Sequence, residues 1–369
     1  MKKVVIIGGG VIGLILAKDL GELGIEVTVH DVKKRIEDGA AKASGILSKE
    51  GLAALGVDYK DTVLNTLDGA VLHAGNGKLR IKAPSTKAYI VDRGKLASEC
   101  CREAVDAGVN VILGKRIGKQ DIISIKNDKQ AVLVGADGAV SNVASVCGFP
   151  EIKEYVLTYK AEYDKARIKD SHSVDLFFSN EVANRFFGWV APYSGNLAEV
   201  GIGISSFAKR SSAYAFKQFL KNDFIESMLN DADLVSAHAS IIPLTTRKRT
   251  VKENVILVGD AAGQVKATTG GGIVFGAACA KIAASSIYEY IEYGKPLDRY
   301  ERAWRDTYGL DLKMHKLIHG YYSSMSGRSL NMLFTFSKLF GAESFLSKYG
   351  DMDKPTVMVK RFFLRNRTS

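Results

Sequence analysis

Two glycine-rich segments carry the chemistry that this sequence indicates most directly. In the first, Gly8, Gly10 and Gly13 follow a short apolar run and precede a helical segment. This spacing supplies a tight turn, a close backbone approach to a pyrophosphate, and close packing of the helix on the strand. The helix then offers free N–H groups to phosphate oxygens. Asp31 ends the next strand and can bind a ribose hydroxyl, with the adjacent His30 as an alternative contact, so the segment predicts a dinucleotide site.

The second segment lies far downstream. Gly259 and Asp260 end an apolar run that starts at Asn254, and residues 268–272 then lead into a long helix of small residues. An Asp at such a strand end can hold the ribityl chain of a flavin, while glycines let the backbone approach the pyrophosphate and the ring. A simple NAD dehydrogenase has no use for this second element. The two segments together predict FAD, with its ring facing Gly270, Gly271 and Gly272.

A third segment, residues 132–141, contains Asp137-Gly138 after an alanine. On its own this dipeptide is also compatible with a turn. The segment resembles the ADG motif of the p-hydroxybenzoate hydroxylase-like flavoproteins, and all three of their hallmarks occur here in the expected order. The resemblance implies that Asp137 lies at the cofactor. It also implies that Arg93, which is similar to an FAD-contacting arginine of that family, binds FAD.

Within that superfamily the chain resembles the geranylgeranyl reductases of archaeal lipid synthesis more closely. The residues that carry the likeness are Gly188–Pro192 and Ala198–Gly203, the flavin loop Leu257–Ile273, and Ser44-Gly45 in the place of a Cys-Gly pair. The resemblance implies that Ser44 and Gly45 lie at the flavin. It also implies a hydrophobic channel for an unactivated alkene, lined by Phe178, Phe187, Trp189 and Pro192. The same side chains are equally compatible with an ordinary sheet core.

The sequence departs from the reductase pattern at three positions. Ser44 replaces a cysteine, Phe187 a tyrosine, and Ala267 a proline. Ser44 is the candidate catalytic residue, because its hydroxyl can form hydrogen bonds near the flavin. It can equally be a small residue at a tight turn.

Neither a general acid–base group nor a metal site is indicated. His73, His172 and His238 are isolated in the sequence, which favours chemistry carried by the flavin alone. His315 and His319 are four residues apart, but no HExxH motif surrounds them and we interpret them as part of a helix surface. The four cysteines form no CxxC motif, which predicts no metal site and a reducing cytoplasm.

The elements that position these residues alternate between strands and helices. A β-branched run at residues 4–7 predicts a strand buried on both faces, and further strand–helix pairs follow it. This alternation predicts an α/β fold with a Rossmann-type FAD-binding domain, and the resemblance implies that the domain is of the p-hydroxybenzoate hydroxylase-like type. This domain is discontinuous, and it comprises residues 1–69, 90–149 and 251–295. Residues 70–89 and 150–250 form an inserted, mainly antiparallel β-sheet domain for the substrate.

The remaining region, residues 296–369, is predicted to be helical. Its end contains only basic charges, interleaved with apolar residues: Lys354, Lys360, Arg361, Phe362, Phe363, Leu364, Arg365 and Arg367. This composition suits a segment at an anionic membrane surface, or a helix that packs on the domain. The apolar stretch 270–291 is interrupted by a lysine and is interpreted as a buried helix rather than a membrane span.

These inferences predict an FAD-dependent oxidoreductase that hydrogenates C=C bonds of a prenyl chain in archaeal membrane lipid synthesis. The partners are then a prenyl lipid or prenyl diphosphate, and an electron donor such as a ferredoxin-like protein or NAD(P)H. The net charge of +11 suits an anionic membrane surface on the cytoplasmic side, and we expect no nucleic acid partner. The alternatives are an FAD- and NAD(P)H-dependent aromatic monooxygenase and a non-catalytic electron-transfer flavoprotein.

Overall fold

The computed structural model of the protein describes residues 2–365, and of residues 41 and 362–365 it describes the backbone alone. The strands are β1 Lys3–Ile7, β2 Val27–His30, β3 Ile46–Ser48, β4 Val63–Leu67, β5 Gly69–Ala74, β6 Gly77–Lys82, β7 Ala88–Val91, β8 Asn110–Ile112, β9 Ala131–Gly135, β10 Tyr155–Asp164, β11 Ser173–Phe177, β12 Gly188–Ser194, β13 Leu197–Ser205, β14 Asp233–Pro243, β15 Val251–Lys252 and β16 Val255–Leu257. The helices are α1 Val11–Glu22, α2 Lys49–Ala53, α3 Arg93–Asp106, α4 Lys119–Asn127, α5 Asn142–Val146, α6 Ser212–Phe219, α7 Asp223–Leu229, α8 Ile273–Tyr293, α9 Arg299–Ser324, α10 Gly327–Leu339, α11 Ala342–Tyr349 and α12 Pro355–Arg365.

A six-stranded sheet forms the nucleotide-binding part, in the order β15-β16-β9-β1-β2-β8. All its pairs are parallel except β15 with β16. The central strands are almost fully buried because helices cover both faces, which is why they are continuous apolar runs. Helices α1 and α8 pack together, and the carboxyl ends of β1, β9 and β16 point to the side where the three glycine-containing turns begin.

A seven-stranded sheet, in the order β14-β10-β13-β12-β11-β5-β6, forms the second part. Its pairs are antiparallel except β11 with β5. On one face, side chains such as Val200 and Ile202 pack against α6 and α7. The other face carries Lys160, Trp189 and Glu199 and is turned towards the flavin loop. Because side chains alternate along a strand, one segment supplies both faces.

The helical region from α9 onwards is packed into the molecule rather than appended to it. Tyr300 and Trp304 of α9 are fully buried, and the Trp304 indole N–H donates to the Thr250 hydroxyl at 3.0 Å. Helix α10 packs on β5 and β6. Of the basic tail, Lys354 precedes α12 and Lys360 and Arg361 lie in it; the side chain of Arg365 and the whole of Arg367 lie outside the described residues.

The predicted fold class is confirmed, including the buried helix α8, the antiparallel sheet and the helical end. In the described range 2–365, every helix is too short or too polar to cross a bilayer. The elements that escaped prediction include the three-stranded sheet β3-β7-β4 and the long edge strand β14, whose residues are mostly exposed or half-buried and so lack an apolar run. The exact domain boundaries stay a prediction.

The interpretation of His315 and His319 as surface residues is wrong. Both are buried, at 3% and 4% exposure. The Nδ1 atom of His315 lies 2.7 Å from the Thr268 hydroxyl, and its Nε2 lies 3.0 Å from the Asp353 carbonyl oxygen. Burial lowers the pKa of His319 to about 4, with the Lys316 charge acting in the same direction. These histidines therefore fasten α9 to the segments around it.

Candidate functional site

A groove of about 540 Å³ runs along the carboxyl edge of the six-stranded sheet. Five predicted cofactor-binding residues line it: Gly8, Gly10, Asp31, Arg93 and Asp137. They come from the turns after β1, β2 and β9 and from the first residue of α3. Parallel strands deliver their carboxyl ends to one edge, so residues more than a hundred positions apart in sequence meet here.

The glycine turn is held at Gly8 by a backbone angle that other residues rarely adopt, with φ at +113°. A Cβ atom on Gly8 would lie 2.2 Å from the carbonyl oxygen of Ala136. Gly13 does not line the groove; a Cβ there would lie 2.0 Å from the Gly8 carbonyl oxygen, so this glycine permits α1 to pack on the turn. Gly10 has nothing within 4 Å of its Cβ position, which leaves open space above α1.

The acidic residue after β2 already has protein partners. One carboxylate oxygen of Asp31 accepts the Gly9 N–H at 2.7 Å, and the other accepts the Lys33 N–H at 2.8 Å. Asp31 therefore shapes the glycine turn, with lone pairs left for a hydroxyl donor. The adjacent His30 also lines the groove, and its Nδ1 has no hydrogen-bond partner among the described residues. Both residues that the sequence offers for the ribose thus line the groove, and the contact itself stays a prediction.

Asp137 caps the short helix that follows the ADG motif. Its Oδ2 accepts the Val143 N–H at 3.0 Å, while its buried Oδ1 has no partner in the described structure. Burial raises the pKa of Asp137, and the hydroxyl of Ser141 acts in the opposite direction. An unpartnered acceptor that faces a groove is a group that a ligand can satisfy.

A second cavity, of about 260 Å³, continues from this groove and lies between the two sheets. Lys42, Ala43 and Arg93 line both spaces, so the two are adjoining parts of one site. Of the predicted residues, the second cavity is lined by Ser44, Phe187, Trp189, Asp260, Gly270, Gly271 and Gly272. The rest of its wall is mainly apolar, with Val174, Leu176, Phe186, Ile242 and Met352.

The loop that carries Asp260 is fixed by a residue from the C-terminal region. The hydroxyl of Tyr300 donates to the Leu257 carbonyl oxygen at 3.0 Å and accepts from the Gln264 amide at 2.8 Å. The Gln264 side-chain oxygen in turn accepts the Gly259 N–H at 2.8 Å. Gly259 itself adopts φ +62° at this turn. These hydrogen bonds tie the loop to α9 and fix the position of the turn at Gly259.

Asp260 is partly buried beside the start of α8, where a Cβ on Gly272 would come within 2.6 Å of its Oδ1. Burial raises the pKa of Asp260 to about 6, and the positive charge of Arg93 acts against this rise. Helix α8 begins at Ile273, so its first N–H groups and its positive dipole end open into the second cavity. The Asp260 carboxylate, an acceptor, thus lies beside the N–H donors at the start of α8.

Arg93 lies between the two spaces. Asp92 caps α3 by accepting the N–H groups of Gly94 and Lys95, at 2.9 and 3.0 Å, and so directs Arg93 inwards. One guanidinium nitrogen donates to the Ser44 carbonyl oxygen at 3.4 Å, while the buried Nε has no partner among the described residues. The buried Ser44 hydroxyl likewise has no hydrogen-bond partner among the residues that the structure describes. The prediction that Ser44 and Arg93 share a site is consistent with this contact.

These observations test whether an FAD molecule fits. The site offers a glycine turn with open space, two helix N-termini, a carboxylate for a ribityl hydroxyl, and unpartnered buried polar atoms on Ser44, Arg93 and Asp137. The groove accommodates the dinucleotide and the adjoining cavity a flat ring next to Gly271 and Gly272. The residues present therefore fit the group.

Besides Gly13, four predicted residues lie outside the cavity wall: Gly45, Gly259, Phe178 and Pro192. Gly45 is buried behind it, where its N–H donates to the Tyr193 hydroxyl at 3.3 Å. The Phe178 ring contacts the Phe187 ring at a tilt from the far side, with ring centroids 5.7 Å apart. Pro192 is buried in β12, and its carbonyl oxygen accepts the Asn65 amide at 2.7 Å. The structure thus places Phe187 and Trp189 in contact with the cavity and the other residues in support of it.

Sequence reasoning missed a clamp that closes the cavity from the C-terminal region. Lys266, on the flavin loop, pairs with Asp353 at 2.5 Å, and the side chains are only 4% and 10% exposed. The Ser48 hydroxyl also donates to Asp353. The neighbouring Met352 lines the cavity. The one available signal was Lys266 itself, the only basic residue in the sequence of the loop 258–272.

Sequence reasoning also missed a polar cluster on the sheet. It identified no acid–base constellation, and the structure brings Lys160, Trp189, Tyr193 and Glu199 together beside the cavity. They lie on three different strands, so their sequence separation hid them. The signal was the alternation of Glu199 with Gly201 and Gly203 on one strand, because a face of glycines leaves room for large neighbours.

Comparison with known proteins gives the following matches. The family described as "Lycopene cyclase protein" matches residues 3–369. An uncharacterized protein of Methanocaldococcus jannaschii is 26% identical over 366 residues, which cover 95% of this chain and 92% of the relative. A digeranylgeranylglycerophospholipid reductase of Methanothrix thermoacetophila is 27% identical over 359 residues, which cover 89% and 90%. The crystal structure of a geranylgeranyl bacteriochlorophyll reductase-like protein of Thermoplasma acidophilum matches with TM-score 0.81 at 18% identity, covering 97% of this chain and 95% of that one.

These matches confirm the resemblance to geranylgeranyl reductases that was drawn from residues 188–192 and 198–203, the flavin loop and Ser44-Gly45. The solved structure confirms the predicted fold at a sequence identity where most side chains differ.

Proposed function

Since this chain belongs to the lycopene cyclase protein family, whose profile spans residues 3–369, we propose that it is an FAD-dependent reductase of prenyl chains. The proposed reaction hydrogenates isolated C=C bonds of a geranylgeranyl-type chain in membrane lipid synthesis. The name of the Methanothrix relative supports this substrate class. The proposed electron donor is a ferredoxin-like protein or NAD(P)H, for which dithionite substitutes in the test tube.

One observation carries the proposal: an apolar cavity meets the start of α8 next to Asp260. Phe186, Phe187 and Trp189 form its wall on the sheet side. An unactivated alkene offers no polar handle, so it is bound through shape and apolar contact. Such a wall beside a flavin site suits a hydrocarbon chain better than a small polar aromatic substrate.

The roles of the residues follow from their positions. Gly8, Gly10 and the start of α1 bind the pyrophosphate, and Asp260 binds the ribityl chain. Gly271 and Gly272 let the backbone and the α8 dipole contact the ring. When bound, FAD supplies hydride to one alkene carbon.

Side chains of the protein keep water out of the cavity in this proposal. Met352 and the Lys266–Asp353 clamp cover one end of the cavity, and the aromatic residues cover the side. Ser44 lies on the wall with an unpartnered hydroxyl, and we propose that it binds a polar atom of the cofactor rather than attacking carbon. Among the described residues this hydroxyl has no hydrogen-bond partner, so no base is placed to activate it as a nucleophile.

We further propose that the substrate arrives from an anionic membrane surface. Helix α10 exposes Met332, Phe336, Leu339 and, just after its end, Phe340, at 52–86% exposure along one face. The only charged residues from position 327 to 342 are Arg328 and Lys338. The opposite face of the helix carries Phe334, whose ring packs on Phe178, 5.7 Å between centroids. An apolar face with basic flanks suits anionic lipid headgroups.

The proposal is tested with the full-length protein. Its organic extract is analysed by mass spectrometry beside a visible spectrum, and we expect FAD together with a prenyl lipid. The protein is then reduced with dithionite without oxygen and mixed with a geranylgeranylated ether lipid. We expect the lipid to reoxidise the flavin and to gain two hydrogens for each double bond reduced.

The main alternative predicts opposite results. An aromatic monooxygenase consumes NADPH and oxygen when aromatic substrates are added, and its reduced flavin does not react with a prenyl lipid. An electron-transfer flavoprotein reduces neither substrate. If no flavin binds even after reconstitution, the reductase proposal fails at its first step.

A further inference from the structure

The face of the large sheet that lines the cavity holds an ion pair with almost no solvent contact. The Lys160 Nζ lies 2.5 Å from Glu199 Oε2, and the side chains are 2% and 0% exposed. Such a pair stabilises a protein little, because desolvation offsets the attraction, and well-packed apolar residues do as well or better. Stability is therefore a weak explanation for this pair, and its place on the cavity wall points to a role in the site.

Glu199 is held by two further donors. The Trp189 indole N–H donates to its Oε1 at 2.7 Å, and the Tyr193 hydroxyl donates to its Oε2 at 2.8 Å. Burial raises the pKa of Tyr193, with the charge of Glu199 acting in the same direction, so the phenol keeps its proton. The carboxylate is thus fixed as an acceptor and cannot turn away from Lys160.

The packing of the sheet directs this cluster towards the cavity. A Cβ on Gly201 would lie 2.1 Å from the Trp189 ring, so only glycine lets the indole lie flat across β13. Lys160 and Trp189 both line the cavity, together with Thr158 and the flavin-loop glycines. Tyr193 and Glu199 lie behind them. Lys160 is therefore the member of the cluster that faces the cavity with a transferable proton.

The cluster also reaches solvent on its other side. Glu162 Oε1 lies 3.3 Å from the Lys160 Nζ, and the Glu162 side chain is 18% exposed. Its second oxygen accepts the Ser236 hydroxyl at 3.1 Å. A hydrogen-bonded route therefore runs from the surface through Glu162 to Lys160 and ends at the cavity.

We propose that Lys160 is the proton donor of the site, with Glu199 as its positioning residue and Glu162 as the route of its reloading. The inference rests on the proposed reductase function. Reduction of one C=C bond needs two electrons and two protons, and hydride brings both electrons with one proton. The second proton passes from the Lys160 ammonium to the neighbouring carbon as the new C–H bond forms. The neutral amine then regains a proton from solvent through Glu162.

The test follows reoxidation of the dithionite-reduced, FAD-loaded protein by a geranylgeranylated ether lipid. Lys160→Met with Glu199→Gln removes the proton and both charges while keeping an acceptor for Trp189. We expect unchanged FAD binding, unchanged thermal unfolding of the apoprotein to within a few degrees, and reoxidation slower by about a hundred-fold or more. Lys160→Arg keeps the charge and the pairing but cannot release its proton, so we expect a similar loss.

Two controls separate proton transfer from structure. Lys18→Met removes another largely buried lysine, paired with Glu103 at 3.1 Å on α1 and α3, away from the cavity, and should leave the reoxidation rate unchanged. In Lys160→Ala, added small primary amines should restore part of the rate, which a structural defect does not allow. If Lys160→Arg or the double variant reoxidises at the wild-type rate, the proton-donor role is refuted. If the wild-type protein is itself not reoxidised by the lipid, the reductase proposal fails, and this inference fails with it.

Discussion

The clamp between Lys266 and Asp353 allows a quantitative prediction about stability. The Nζ and Oδ1 atoms are 2.5 Å apart and the side chains are 4% and 10% exposed. Asp353→Asn keeps the shape of the side chain almost unchanged but leaves the buried Lys266 ammonium group without a negatively charged partner. Removal of one partner of a buried pair lowers the free energy of unfolding by about 3–5 kcal/mol.

The chain contains a matched control on its surface. Lys165 and Asp233 approach to 2.6 Å, almost the same distance, but both side chains are 66% exposed. Because water and ions screen such a pair, Asp233→Asn should change the free energy of unfolding by about 0–1 kcal/mol. The two substitutions thus differ in burial and hardly in geometry.

The assay is urea unfolding of the apoprotein, followed by circular dichroism, for wild type and both variants. The double variant Lys266→Met with Asp353→Leu should regain most of the lost stability, since a well-packed apolar pair avoids the desolvation cost. Limited proteolysis should show faster cleavage after α11 in Asp353→Asn alone. Equal effects of Asp353→Asn and Asp233→Asn would refute the reasoning, since burial would then have no influence.

Three further predictions concern the cofactor and the membrane. Gly8→Ala should abolish FAD binding and lower the free energy of unfolding by about 1–3 kcal/mol, because the new Cβ would lie 2.2 Å from a backbone oxygen. Gly10→Ala is the control, because the space around Gly10 is open, and it should be as stable as wild type. An equal loss of stability in both variants would contradict this. Asp260→Ala should deplete FAD from the purified protein. In the apoprotein, burial raises the Asp260 pKa to about 6 from 3.8, so the charged carboxylate lowers the stability of the fold above about pH 6. Asp260→Asn should therefore raise the melting temperature above about pH 6 and have no such effect below about pH 4. A difference in melting temperature that does not depend on pH would refute this. Replacing Phe336 and Phe340 by Ser should weaken binding to anionic vesicles with unchanged unfolding, and unchanged binding would exclude α10 as the contact.

Much of the cofactor site could be predicted because its signals are local. Gly8, Gly13 and the apolar run before them belong to one continuous strand–turn–helix unit, in which backbone sterics alone demand glycine. Gly259-Asp260 and Gly271-Gly272 form a second such unit at the start of α8. The parallel sheet then brings both units to one edge, and the fold class follows from the alternation of strands and helices.

The substrate side could be predicted less well because its contacts join distant strands. Phe178 and Phe187 belong to neighbouring stretches of the chain, yet Phe187 lines the cavity and Phe178 packs behind it. Strand β14 escaped prediction because it lies at the edge of the sheet with much of its length exposed to solvent, and its sequence therefore has no continuous apolar run. His315 and His319 show a spacing typical of a helix surface, and the flavin loop and Arg185 cover them.

The sequence by itself determined the glycine turns of the predicted cofactor site, since their shape depends on the backbone of a few consecutive residues. Only the tertiary structure decided which charged side chains are buried away from solvent. Lys160 meets Glu199 across two strands, and Lys266 meets Asp353 from the opposite end of the site. The physical reason is that burial and pairing depend on all surrounding elements together, whereas a turn depends only on its own residues.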